Sequence, residues 1–182
     1  MIQGTKTAII FIVFFLIFPG QGFCLSGVEV FSGMLNADLS HREDYEVIPF
    51  LVDFDFKIKD RVLGEGDLDF VFEPFSNVVL EPQRNIEVGV NFLIKYTYPV
   101  TSAISTYLKG GVGALYMSQH LEEQGSQYNF TPQMSFGIHY FFKEATALTV
   151  EYRYRHLSNA DIKKPNKGVE AELFLGGISF FF

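Results

Sequence analysis

The strongest constraint on this chain is a two-residue period that returns, segment after segment, from about residue 27 to the end. Ile48, Phe50, Val52, Phe54, Phe56 and Ile58 alternate with Asp53, Asp55 and Lys57. Leu68, Phe70 and Phe72 alternate with Asp69 and Glu73, and Val88, Val90, Phe92, Ile94 and Tyr96 with Glu87, Asn91 and Lys95. Phe130, Met134, Phe136, Ile138, Tyr140 and Phe142 stand opposite Gln133, Ser135 and His139 in parity. A strand sends successive side chains to opposite faces, so each segment has one greasy and one polar side. Eight strands are predicted, at about 27–37, 45–58, 67–75, 86–98, 103–117, 129–142, 146–158 and 169–182. The fifth is interrupted by Gly110, Gly111 and Gly113, expected as close-packing or bending positions.

A soluble β-sandwich would alternate in the same way, so other features must decide. The first is the start of the chain. In Met1–Ser26, Lys6 is the only charge, and Ala8 to Phe18 is an unbroken apolar run followed by Pro19-Gly20. Eleven residues, at about 1.5 Å each in a helix, fall short of a bilayer core of roughly 30 Å. Residues 1–26 therefore read as a secretory signal peptide, with cleavage near 22 or 26. Cys24 is the only cysteine, so no internal disulfide is possible, and bulky Phe23 argues against a lipid anchor there.

The second feature is the apolar face itself, rich in the 21 Phe and 9 Tyr of a chain that has no Trp. Beyond the leader no apolar run reaches the roughly 20 residues that a membrane helix needs. The third is the terminal Phe182 closing an alternating segment, which resembles the recognition signal of outer-membrane barrels. The expected fold is all-β, an eight-stranded antiparallel transmembrane β-barrel in the outer membrane of a Gram-negative bacterium, with 27–182 as its single domain. Side chains fill so narrow a barrel, which excludes a porin. The inward charges (Asp53, Asp55, Lys57, Asp69, Glu73, Lys95, Lys109, Glu151, Arg153, Arg155) are expected to pair with one another, and His139 to be a satisfied interior residue. A net charge of -7 argues against nucleic acid as a partner. Any affinity for an anionic lipid must come from a local cluster.

Short turns near 98–102 and 143–146 and longer stretches near 77–85, 118–128 and 159–168 place both termini on the periplasmic side. The turn at 59–66 is long for that scheme. His41 and His120 are expected in loops, Asp161 in a turn, and Tyr96, Tyr116, Tyr140, Tyr152 and Tyr154 in interfacial aromatic belts.

The last hairpin carries the chemistry. Val150, Tyr152, Tyr154, His156 and Ser158 share one parity, and Glu170, Glu172, Phe174, Gly176, Ile178, Phe180 and Phe182 share a face of the next strand. With the fatty faces outward, His156, Ser158 and Glu170 lie on the same outer side. His156 and Ser158 emerge about 6.5–7 Å apart at the backbone, within reach for an imidazole nitrogen and a serine hydroxyl. If the hairpin pairs His156 with Glu170, the carboxylate can hold the other imidazole N–H. On spacing alone two readings stand, a hydrolytic triad or a polar strand end at the water interface. Glu172, on the same face, is the fallback for the third member.

His156-Leu157-Ser158-Asn159-Ala160, followed by Pro165-Asn166, Gly168 and Glu170, resembles the PagL family of outer-membrane lipid A 3-O-deacylases over about thirty residues. The resemblance implies an eight-stranded barrel with a site on its outer wall that hydrolyses the 3-O-linked acyl ester of lipid A, releasing a 3-hydroxy fatty acid. By position it implies Ser158 as nucleophile, His156 as general base and Glu170 as orienting acid. Asn166, with the backbone around Asn159 and Ala160, would supply oxyanion donors. It implies lipopolysaccharide in the outer leaflet as the partner, with no metal or cofactor. Lys163, Lys164 and Lys167 cluster beside the site, either to contact lipid A phosphates or as an ordinary solvated loop. The rivals are a non-enzymatic structural or adhesin barrel and a phospholipase or esterase of the same fold.

Overall fold

Eight antiparallel strands close into a barrel in sequence order, the first pairing with the last. The structure, a computed structural model, describes residues 24–39 and 44–182, so the expected leader up to residue 23 and the expected loop residue His41 lie outside the described residues. The strands are β1 (Cys24–Asp38), β2 (Asp44–Val62), β3 (Gly66–Val79), β4 (Asn85–Pro99), β5 (Ile104–Met117), β6 (Tyr128–Lys143), β7 (Thr146–Leu157) and β8 (Val169–Phe181). Closure runs from Gly27 opposite Phe181 to Ala37 opposite Ala171. With no free edge, every strand has two ladder partners, which is what the hydrocarbon layer demands of a spanning sheet.

The period read from the sequence is the pleat of this barrel. In β6 and β7 buried and exposed residues alternate strictly along most of each strand. The outward set includes Met134, Phe136, Leu148, Val150, Phe174 and Ile178. A wall this apolar has lipid, not water, as its compatible surroundings. The inward set is polar at its middle and apolar toward the long-loop end, where Phe31, Leu35, Val47, Leu115, Leu157 and Leu173 pack together.

The inward charges pair as expected. Arg153 bridges Glu73 and Glu151, with nitrogen–oxygen distances of 2.6 and 2.7 Å. Lys109 reaches Asp53 at 2.6 Å and Glu151 at 2.9 Å. Lys95 contacts Glu29 at 2.5 Å and also Asp55. Lys57 is the exception in depth. It sits half-buried at the mouth, 3.0 Å from Asp67. His139 is buried in the interior, as its parity requires.

Several strands run longer than their sequence limits. β2 and β3 extend to Val62 and start at Gly66, leaving a three-residue turn where the alternation had faded. Register shifts between Lys57 and Val62 explain the fading, because a bulge breaks the period without ending the pairing. The turn that looked long is therefore short, and the loop-length scheme holds without exception among the described residues. Asn77 is a buried member of β3, not a loop residue. Of the three glycines of β5, Gly111 and Gly113 are close-approach positions, where a Cβ would meet Phe92 O at 2.2 Å and Asn91 Oδ1 at 1.8 Å. Gly110 has only ordinary contacts.

The connections 118–127 and 158–168 are the longest described and lie at the same end, which the loop-length rule makes extracellular. They dock on each other. Gly125 N–H donates to Pro165 O at 2.6 Å, Lys167 N–H donates to Glu123 O at 3.0 Å, and Gln124 bridges Asn166.

Candidate active site

The β7–β8 register sets His156 directly opposite Glu170. His156 Nδ1 lies 2.5 Å from Glu170 Oε1. A carboxylate only accepts, so Nδ1 carries the hydrogen, which in the neutral imidazole leaves the lone pair on Nε2. The second carboxylate oxygen, Oε2, accepts from the Tyr154 hydroxyl. Both partners stand on the outer wall: the His156 side chain is 36% exposed and that of Glu170 55%. The fallback carboxylate, Glu172, faces Tyr154 in the register and not the imidazole.

Ser158 follows the end of β7 and is held by β6. Its N–H donates to Phe130 O at 3.1 Å and its carbonyl accepts from Phe130 N–H at 2.7 Å. It is half-buried on the parity of His156, so both side chains leave the same face. Among the described residues its hydroxyl has no hydrogen-bond partner, His156 included. Gly168 follows the same hairpin outward and lies against the imidazole, where a Cβ would meet Cε1 at 2.7 Å and Nε2 at 3.5 Å. Gly168 thus packs against the Cε1 edge of the ring.

The loop after Ser158 is shaped by Asn159. This side chain is fully buried, and its Nδ2 donates to Lys163 O at 2.7 Å and Pro165 O at 3.3 Å, while its Oδ1 accepts from Lys163 N–H at 3.4 Å. Asn159 N–H is taken by Asn166 Oδ1 at 2.9 Å. Ala160 and Asp161 both adopt the left-handed region, at φ 51° and 61°, which non-glycine residues seldom enter. Asn166 Nδ2 donates to Asp161 Oδ1 at 3.2 Å. Of the three lysines, Lys164 is committed to Asp161 at 2.7 Å. That ammonium, and then the Asn166 amide, holds the Asp161 carboxyl below the usual carboxylate range. Lys163 and Lys167 are exposed, with no ion pair among the described residues.

A connected serine–histidine–glutamate chain exists inside the barrel. Ser105 Oγ is 3.0 Å from His139 Nδ1, and His139 Nε2 is 3.0 Å from Glu29 Oε2. It lies beside a cavity of about 720 Å³ at the short-turn end, which Ser105, His139, Asp55 and Lys57 help to line. His139 and Glu29 have no exposed surface, and Glu29 is also bound by Lys95 and Ser179. Only the inner set is linked from serine through imidazole to carboxylate; of the two groups only the outer His156–Glu170 pair meets the lipid face.

A closed eight-stranded barrel with an apolar outer belt and a largely polar, charge-paired interior is an outer-membrane β-barrel. The family described as Lipid A 3-O-deacylase (PagL) matches residues 59–176, a span that includes all of the outer cluster. The chain belongs to this family. Among solved structures it is similar to the crystal structure of the outer membrane enzyme PagL, with 16% identity, a TM-score of 0.64 and coverage of 86% of this chain and 100% of that one. It is also similar to Neisserial surface protein A, with 15% identity, a TM-score of 0.67 and coverage of 89% and 100%. At these identities the likeness is one of fold. No curated protein matches the sequence.

Proposed function

We propose that the chain is a serine-dependent hydrolase of the 3-O-linked acyl ester of lipid A. The observation that carries the reading is the His156–Glu170 pair on the lipid-facing wall, one residue pair along from Ser158. Glu170 fixes the Nδ1–H tautomer, so Nε2 is the base. In this reading the Ser158 hydroxyl, two residues from His156 on the same face, donates to Nε2 once substrate is bound, since catalytic hydrogen bonds often tighten only in the complex. Ser158 Oγ attacks the acyl carbonyl as its proton passes to Nε2, giving a tetrahedral oxyanion. The protonated imidazole then returns that proton to the sugar oxygen as the ester bond breaks. Water, deprotonated by the same nitrogen, cleaves the acyl-serine and releases the 3-hydroxy fatty acid.

The oxyanion needs donors fixed in advance, each worth about 2.7–4 kcal/mol in comparable sites. The Asn159 N–H is already committed within the loop. That leaves the Ala160 N–H and the second Asn166 amide hydrogen as the donors in this reading. Lys163 and Lys167 are the lysines free to meet a lipid A phosphate, with Lys164 acting through Asp161. The leader, cleaved near residue 22 or 26, would direct the chain through the inner membrane.

Mass spectrometry of lipid A from membranes carrying the wild type or Ser158→Ala tests this reading. Loss of one 3-hydroxyacyl unit with the wild type alone is the expected result. Identical spectra would leave a surface barrel without hydrolase activity, a reading favoured only by the fold shared with Neisserial surface protein A. Replacing all three lysines is expected to slow deacylation of phosphorylated substrate and not of the dephosphorylated form.

A further inference from the structure

We propose that Tyr154 is a positioning residue of the outer-wall site, its phenol holding the Glu170 carboxylate in the orientation that His156 uses. This rests on the serine-hydrolase reading and adds a fourth group to it. Each oxygen of Glu170 has its own donor: His156 Nδ1 at Oε1, and the Tyr154 hydroxyl at Oε2. The register makes Glu172, not Glu170, the direct neighbour of Tyr154. Tyr154 therefore reaches diagonally toward the rim, a span open to a long aromatic side chain.

Placement gives the bond its consequence. Glu170 projects from an apolar wall, where water is a poor substitute for a missing donor. The terminal torsion of a glutamate is broad, so one hydrogen bond to one oxygen leaves the carboxylate free to swing. A tyrosine restrains the other oxygen at little entropic cost, because its ring has only two torsions. Membership of an interfacial belt would need the ring alone. The hydroxyl, aimed at Glu170 instead of at solvent, is what a belt role leaves unexplained.

The test compares wild type, Tyr154→Phe, Glu170→Ala and the double variant on lipid A in mixed micelles, each checked for folding by heat-modifiable gel mobility. In Tyr154→Phe, kcat is expected to fall roughly tenfold, or about 1.4 kcal/mol, with KM unchanged. In the Glu170→Ala background the same change should cost less than about twofold, the non-additivity of two groups acting as one. Labelling of Ser158 by a fluorophosphonate should slow in parallel. Wild-type kcat in Tyr154→Phe beside an impaired Glu170→Ala overturns the positioning role and leaves the hydrolase reading standing. Equal losses in both backgrounds also overturn it, by showing that Tyr154 acts apart from Glu170. Full activity in Glu170→Ala overturns the positioning role together with Glu170's place in the triad, whereas absence of deacylation by the wild type removes the hydrolase reading.

Discussion

Gly168 is the backstop of His156. A Cβ at this position would sit 2.7 Å from the imidazole Cε1, and the backbone holds φ 78°, a conformation that favours glycine. Gly168→Ala therefore has to displace the ring or refold the loop end. A displacement near 1 Å costs about a hundredfold in rate when the reacting groups must align. Deacylation by Gly168→Ala is expected to fall by about that factor while the thermal melt of the barrel stays in place, and a kinetic assay paired with a melting curve checks both.

The contact between the docked loops lets Gly125, which has no proposed catalytic role, influence the site. A Cβ on Gly125 would lie 2.3 Å from Lys164 O, so Gly125→Ala has to part the loop 118–127 from the loop 158–168. The expected outcome is a roughly tenfold loss of activity. Hydrogen exchange would show faster exchange at the Gly125 and Lys167 amides, whose partners lie in the opposite loop.

Asn159 is a clamp before it is anything else. Its amide holds Lys163 and Pro165 from the interior of the loop. Asn159→Ala is expected to remove about 1–3 kcal/mol of local stability. Activity should therefore be lost on heating well below the temperature at which the strands unfold, which assays at stepped temperatures would reveal.

Arg153 bonds two buried carboxylates, Glu73 and Glu151, from a side chain that is itself 1% exposed. Arg153→Ala leaves two buried acids to share the single ammonium of Lys109, and breaking such a buried pairing costs about 3–5 kcal/mol. Urea unfolding in lipid vesicles should show the loss, whereas the folded fraction should deacylate at the wild-type rate because the interior does not contact the outer site.

The barrel was legible because lipid and lumen impose opposite chemistry on alternate residues, so Phe50, Phe54 and Phe72 announce one face and Asp53, Asp55 and Glu73 the other. The His156–Glu170 pairing was legible for a related reason, since a hairpin fixes its register once its ends are known. The period failed at Lys57–Val62, where bulges preserve the ladder and scramble the parity. Loop-to-loop contacts were out of reach for another reason. Nothing in the spacing of Gly125 or Gln124 reports that Pro165 and Asn166 will be their partners, because both segments are irregular and meet only in three dimensions. Tyr154 shows the limit within a strand: parity puts it beside Glu172, and only coordinates reveal the diagonal reach to Glu170. Asn159 likewise looked like an oxyanion donor by position, yet its side chain and N–H serve the loop.

The charged plug of Arg153, Lys109 and Lys95 bars any route along the cylinder axis, while His156 and Glu170 open sideways. Reactant and liberated fatty acid must then enter and depart by lateral diffusion within a single leaflet. Turnover becomes a two-dimensional encounter, governed by the mole fraction of substrate among surrounding lipids and indifferent to its bulk molarity.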